Sequence, residues 1–122
     1  MNIKKLKAYV RTAPWRRRQR SAPARPKGSM SGENIIAAII LRVTETNTSY
    51  TSWHIGLTND PDKSKAYWNE IEKENVDSWN QWEAVSLSDA RDIESYFVNE
   101  KRMDGATDEA LSPGKPVFVY IF

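Results

Sequence analysis

The sequence predicts an α+β domain over residues 31–122, with helices packed on a small sheet of three to four strands. Three observations support this fold class. Short apolar runs of strand length alternate with amphipathic stretches of helix length, two segments carry helix-start signals, and four of the five tryptophans lie in this range and supply large side chains for a core. A segment of this size can fold alone around one modest core. The predicted order of elements is β-β-α-β-α-β.

The first two predicted strands form a hairpin with a long loop. Residues 34–43 are apolar and rich in β-branched side chains, which favours a buried strand. Residues 44–52 are mostly polar and predict the loop, and residues 53–58 predict the second strand. Gly56 within that strand indicates a bulge or the close approach of another part of the chain.

The first predicted helix follows directly. Asp60 can cap its start, and Pro61 fits the first helical position. Tyr67 and Ile71 are four residues apart, so we expect both to face the core.

The second predicted helix begins at a Ser88 cap and ends near Gly105. Its apolar stripe consists of Ala90, Ile93, Tyr96 and Phe97. Residues 82–85 before it predict a short third strand, and residues 117–122 after it predict a strong last strand.

The charges divide the chain into two parts of opposite sign. Residues 1–30 hold ten Lys or Arg and no acid, whereas residues 31–122 hold eight bases and sixteen acids. The net charges are therefore +10 and −8, which the overall +2 conceals. A run of bases without acids suits a polyanionic partner, and an acidic domain does not. We therefore predict a basic, disordered arm over residues 1–30 and a separate domain over residues 31–122.

The arm contains the candidate nucleic-acid-binding residues. Aromatic rings between arginines can stack on unpaired bases while the guanidinium groups bind phosphates. These candidates are Lys4, Lys5, Lys7, Trp15, Arg16, Arg17, Arg18 and Arg20. The pattern does not distinguish DNA from RNA. Two alternatives remain open: the arm is a solvated tail, or residues 1–29 come from an expression vector, since Gly28-Ser29-Met30 is typical of a cloning junction followed by a second start.

The composition excludes several classes of site. The chain has no cysteine, so it has no disulfide and no cysteine-ligated metal, and its one histidine excludes a multi-histidine site. Any metal would take carboxylate and water ligands, which favours magnesium or manganese. The longest apolar run, residues 35–41, is far shorter than the ~20 residues of a membrane span. We expect a cytoplasmic protein without a membrane partner, and organelle targeting by the arginine-rich arm is the alternative.

Residues 53–61 read Trp-His-Ile-Gly-Leu-Thr-Asn-Asp-Pro. This segment resembles the second signature of the GIY-YIG endonuclease family, in which an aromatic-Ile-Gly strand turns through a Thr-Asn pair into a helix. Residues 35–43 would then take the place of the family's first signature strand, and residues 90–94 would lie on the helix with its metal-binding glutamate. The resemblance implies phosphodiester hydrolysis, in which a divalent metal and an arginine offset the charge that develops on the phosphate.

The resemblance also implies roles for individual residues. Glu94 matches the glutamate that would bind Mg²⁺ or Mn²⁺. His54 replaces the second tyrosine, and an imidazole can act as a base near pH 7. Lys63 and Lys65 stand where the family has its arginine, but a lysine cannot make the two-pronged phosphate contact. The first tyrosine has no counterpart. The alternatives without a catalytic role are a structural His54, a solvated Glu94 and lysines that are only surface charges.

Three functions follow from these observations. The first is a GIY-YIG-like domain that has lost catalysis and works as a nucleic-acid-associated binding or interaction module. The second is an active divalent-metal endonuclease that uses His54, Glu94 and either Lys63 or Lys65. The third is an acidic module that binds or inhibits a basic partner protein. Gaps at two of the four family positions favour the first.

Overall fold

The computed structural model describes residues 28–107 and 110–122. Within these ranges the chain forms three α-helices and one mixed sheet of four strands, which confirms the predicted α+β class and sheet size. The helices are α1 (Gly32–Thr46), α2 (Pro61–Glu70) and α3 (Leu87–Asn99). The strands are β1 (His54–Thr58), β2 (Asn80–Glu83), β3 (Asp104–Gly105) and β4 (Phe118–Ile121).

Helix α1 corrects the first predicted strand. Residues 34–43 lie within this helix, so the predicted hairpin does not form and the described chain begins α-β-α rather than β-β-α. The side chain of Ser31 accepts a hydrogen bond from the backbone N–H of Asn34 and caps the helix start. Asn47 ends it in the left-handed conformation, with φ of 54°. The buried side chains recur at helical spacing, at Ile35, Ile36, Ile39 and Val43.

The sheet has the strand order β2-β4-β1-β3. Strand β1 pairs antiparallel with β4, with Gly56 opposite Tyr120, and parallel with β3, with Ile55 opposite Gly105. Strand β2 pairs antiparallel with β4 and forms the other edge among the described strands. Strand β1 is therefore flanked on both sides.

The two faces of the sheet belong to two hydrophobic cores. One face packs against α1 and α3, through Ile55 and Leu57 of β1 and Ile93 and Phe97 of α3. The other face carries a smaller core, in which Trp68 and Trp79 pack against four buried residues. Those four residues are Val76, Ala106, Tyr120 and Phe122. Because successive strand side chains point to opposite faces, the alternation in β4 assigns Val119 and Ile121 to the first core and Tyr120 to the second.

The close approach of another part of the chain that the sequence predicts at Gly56 is present in the structure. A Cβ atom at this position would overlap the phenol ring of Tyr120 and touch the backbone of Ala106. The hydroxyl of Tyr120 donates to the carbonyl of Ala106 at 2.9 Å. Only glycine leaves room for the tyrosine ring to cross this strand.

The turn from β1 into α2 is fixed by buried polar contacts. The side chain of Asp60 caps the helix by accepting from the N–H of Lys63, as predicted, and Pro61 opens it. Thr58 is fully buried, and its hydroxyl accepts from Ser64 at 2.7 Å. Asn59 accepts a hydrogen bond from the N–H of Ser112 at 2.8 Å and so holds the segment before β4. The Thr-Asn pair therefore serves the fold.

Three details of the helices differ from the predictions. Ile71 follows the end of α2 and is 67% exposed, so it does not face the core. The cap of α3 is Ser86 rather than Ser88, because the Ser86 hydroxyl accepts from the N–H of Asp89 at 3.1 Å. Helix α3 ends at Asn99, whereas Gly105 belongs to β3. The predicted stripe is confirmed, since Ala90, Ile93, Tyr96 and Phe97 are buried.

Within the described part of the chain, no helix combines the length and apolar character that a bilayer crossing requires.

Candidate functional site

His54 opens β1 and lies in an aromatic cluster. Its ring stacks on Phe122 with centroids 4.7 Å apart and an angle of 4°, and it tilts against Trp68 at 6.1 Å. Its Nε2 atom lies 3.9 Å from a carboxylate oxygen of Glu74 and 3.9 Å from one of Asp104. The imidazole is thus held between an apolar ring and two acids. Two neighbouring acids disfavour the approach of a phosphate.

The cluster around His54 extends across the face of the sheet opposite to α1 and α3. Trp79 stacks on Tyr120 at 4.4 Å and on Phe122 at 5.4 Å. The indole N–H of Trp68 donates to the hydroxyl of Tyr120 at 3.1 Å, which attaches α2 to the sheet. We call this surface the aromatic face. It consists of His54, Trp68, Trp79, Tyr120 and Phe122.

Carboxylates lie beside His54 and Tyr67 at the aromatic face. Glu74 and Asp104 flank His54, and Glu72 accepts from the hydroxyl of Tyr67, whose ring meets Trp68 edge-on at 5.5 Å. Asp77 is exposed and lies two residues before Trp79. We call Glu72, Glu74, Asp77 and Asp104 the acidic rim. This surface suits a cation better than a phosphate.

Glu94 has a structural partner. One of its carboxylate oxygens accepts a 2.6 Å hydrogen bond from the hydroxyl of Thr107. That hydroxyl in turn accepts from the N–H of Leu57 in β1 at 2.8 Å. The pairing of β1 with β3 covers only residues 54–55 of β1. The N–H of Leu57 lies beyond that pairing, and the Thr107 hydroxyl satisfies it. The carboxylate therefore connects α3 to the strand edge.

His54 and Glu94 are not brought together. Side chains alternate along β1, so His54 and Gly56 share the face of Tyr120, while Ile55 and Leu57 point toward α3. Glu94 is carried by α3 and lines a groove of about 390 Å³ that does not include His54. The implied base and the implied metal ligand therefore do not line one cleft.

The two candidate phosphate ligands lie on α2. Lys63 and Lys65 are exposed on α2, while Ser64 between them is the buried residue of that turn. Lys65 lines a shallow groove with Asp62 and Asn69 that includes neither His54 nor Glu94. Lys65 therefore shares this groove with neither candidate catalytic residue.

The resemblance assigns the metal to a single carboxylate, that of Glu94. Among residues 28–107 and 110–122, no three His, Asp or Glu side chains are grouped so that they could hold a metal ion. Glu94 is a single carboxylate already bonded to Thr107. A magnesium or manganese ion held by Glu94 and water therefore stays a prediction.

The nucleic-acid candidates of the arm lie outside the described residues. They are Lys4, Lys5, Lys7, Trp15, Arg16, Arg17, Arg18 and Arg20. The binding interpretation of the arm stays a prediction.

Sequence reasoning missed the aromatic face and the role of Thr107. Alternate aromatic residues at positions 118, 120 and 122 are the available signal for the face, because side chains two apart share one side of a strand. No sequence pattern marks Thr107, which acts through a contact fifty residues away in the chain.

One further group has a strongly perturbed proton affinity. Tyr96 in α3 is 4% exposed, and its pKa is raised to about 12, first by burial and then by the nearby Tyr50 and Glu100. The ring packs against Phe97 with centroids 5.0 Å apart, inside the first core. This tyrosine belongs to the core rather than to a site.

Comparisons of this chain with protein-family models, curated protein sequences and solved structures gave no match.

Proposed function

We propose that this chain binds nucleic acid through its basic N-terminal segment, and that its domain is a binding or interaction module without nuclease catalysis. The observation behind the proposal is the ten bases of residues 1–30, which no acid offsets. Such a segment neutralises phosphates, and Trp15 beside the arginine cluster suits stacking on unpaired bases. Single-stranded DNA or RNA is therefore the expected partner.

The positions of the candidate catalytic residues support the non-catalytic half of the proposal. General acid–base chemistry requires a base within hydrogen-bond reach of the reacting group, close to the groups that stabilise the phosphate. His54 and Glu94 lie on different sides of the sheet and have different partners. The net charge of −8 in residues 31–122 also opposes phosphate binding by the domain itself.

We further propose that the domain is a degenerate relative of the GIY-YIG endonucleases. The support is local: residues 53–61 form a strand, a Thr-Asn turn and a proline-initiated helix in that order. Residues 34–43 are helical instead of forming the family's first signature strand. A shared fold would in any case not establish a shared activity.

One assay separates the three functions. The full chain is incubated with labelled single-stranded RNA, single-stranded DNA and plasmid in magnesium and in manganese, beside a Glu94→Gln variant that preserves side-chain shape. We expect salt-sensitive binding without cleavage for both proteins. Cleavage that disappears in the variant would contradict the proposal in favour of the nuclease. If the chain shows no binding and no cleavage, the proposal is contradicted, and a basic protein partner for the acidic domain is the favoured function.

A further inference from the structure

The aromatic face offers a binding surface for cations. The Trp79 ring stacks on Tyr120 and Phe122, yet the residue is only half-buried, as are Trp68 and His54. An arginine or lysine over an indole face gains cation–π attraction, and the guanidinium group of arginine also stacks on aromatic rings. The acidic rim supplies carboxylates at the border of these rings. Rings and acids together suit a chain rich in arginine.

The N-terminal segment joins the domain close to this surface. The N–H of Met30 donates to the carbonyl of Glu83 at 2.8 Å, and Met30 forms a parallel bridge with Ala84 at the end of β2. A Cβ atom at Gly28 would lie 3.8 Å from a carboxylate oxygen of Glu83, and the glycine turns the chain there with φ of +87°. Trp79 directly precedes β2, so only the length of this strand separates the entry point from the aromatic face.

The charge and length of the segment fit this surface. An extended chain advances about 3.3 Å per residue, so the few residues before Gly28 suffice to pass along β2. Residues 16–27 contain six bases and no acid. They are Arg16, Arg17, Arg18, Arg20, Arg25 and Lys27. Within residues 71–78, by contrast, Lys73 is the one base beside three acids.

We propose that residues 16–27 dock on the aromatic face of their own domain, with arginines over the Trp68 and Trp79 rings and against the acidic rim. The tether raises the effective concentration of the segment to the millimolar range, so individually weak contacts are sufficient. Most of these contacts are exposed ion pairs and are therefore sensitive to salt. The docked arginines are also those expected to bind nucleic acid, so a polyanion competes with the domain. This inference goes beyond the proposed function and does not rest on it.

The absence of cysteine makes a direct test possible. A Ser21→Cys variant of the full chain takes one nitroxide label, and its effect is measured on the indole N–H signals of the tryptophans by NMR. Trp53 is the internal reference, because it is buried in the first core and its indole N–H donates to Thr48. We expect Trp68 and Trp79 to lose most of their intensity while Trp53 retains it. The loss should disappear at 1 M salt, where the screening length is about 3 Å.

Two variants of equal charge change test the contribution of the rim. Glu72→Lys with Asp77→Lys reverses two exposed acids of the rim, and Glu45→Lys with Asp62→Lys reverses two exposed acids elsewhere. The first pair should restore the Trp68 and Trp79 signals, and the second should not. Equal effects of the two pairs would overturn the proposal.

Two further outcomes would also overturn it. One is an equal loss of intensity at Trp53, Trp68 and Trp79, or no loss at any of the three. The other is broadening in a mixture of isotope-labelled chains without nitroxide and unlabelled chains with nitroxide, which would mean contact between copies. No nucleic acid is present in these samples, so failure here is separate from failure of nucleic-acid binding.

Discussion

The phenol of Tyr120 crosses Gly56 and joins three parts of the sheet. Tyr120 belongs to β4, Gly56 to the neighbouring β1, and the hydroxyl reaches the carbonyl of Ala106 beyond β3. The N–H of Ala106 donates in turn to the carbonyl of Ile55 at 2.7 Å. Trp68 donates to the same phenol and so fixes α2 over the crossing. This contact organises the second core.

Gly56→Ala tests the crossing. The added methyl group would overlap the Tyr120 ring, so we expect the free energy of unfolding to fall by about 1–3 kcal/mol in urea denaturation. Gly114→Ala is the matched control, because no atom lies within 4 Å of a Cβ at that position. Equal effects of the two substitutions would show that the ring does not lie over Gly56.

Thr107→Val tests the structural role assigned to Glu94. The substitution removes the hydroxyl that serves both the Glu94 carboxylate and the N–H of Leu57, so we expect a loss of about 1–3 kcal/mol in the free energy of unfolding. Thr107→Ser retains the hydroxyl and should cost less. In a double-mutant cycle with Glu94→Gln, the two losses should not add, because the side chains share one hydrogen bond. Strict additivity would contradict the contact.

Ala37→Val distinguishes a helix from a strand at residues 34–43. Residue 37 is exposed, so its effect reports backbone preference rather than packing. In α1 the substitution should lower the free energy of unfolding by about 0.5 kcal/mol, because valine is a weaker helix former than alanine. Stabilisation by valine, as expected on a strand, would contradict the helix.

The fold class was predictable because most elements carry local signals. Asp60 and Pro61 mark the start of α2, and the spacing of Ile93 and Phe97 marks the buried side of α3. The strand prediction for residues 34–43 is wrong because the helical spacing of Ile35, Ile39 and Val43 outweighs the β-branched composition of the segment. Ser31, three residues before Asn34, also marks the start of a helix in the sequence.

The candidate site was less predictable than the fold. The resemblance supplied residue types, but the placement of His54 and Glu94 depends on the side of the sheet on which each element packs. The predicted hairpin pairing gave β1 the wrong neighbour, whereas its observed partners are β3 and β4, which are distant in sequence. Local patterns do not encode such pairings, so the alternate aromatic residues of β4 indicate a shared face without indicating that Trp68 and Trp79 pack on it.

Tyr96 should make stability depend on alkaline pH. Its folded pKa of about 12 lies above the ordinary value near 10, so the unfolded chain loses this proton first. The stabilising contribution is therefore complete below pH 10 and is lost as the pH rises toward 12. Urea denaturation from pH 8 to 11.5 should show a decline that is weaker in Tyr96→Phe. An identical decline in both proteins would contradict the burial of the phenol.

The salt dependence of binding to single-stranded DNA tests the central claim most directly. Each phosphate contact contributes about 0.7 to the slope of log affinity against log salt concentration. Replacing Arg16, Arg17, Arg18 and Arg20 by serine should therefore lower the slope by up to about 3. The matched control replaces the exposed domain lysines Lys63, Lys65, Lys73 and Lys115 by serine and should leave the slope nearly unchanged. A slope that falls in the control and persists in the arginine variant would contradict nucleic-acid binding through the N-terminal segment.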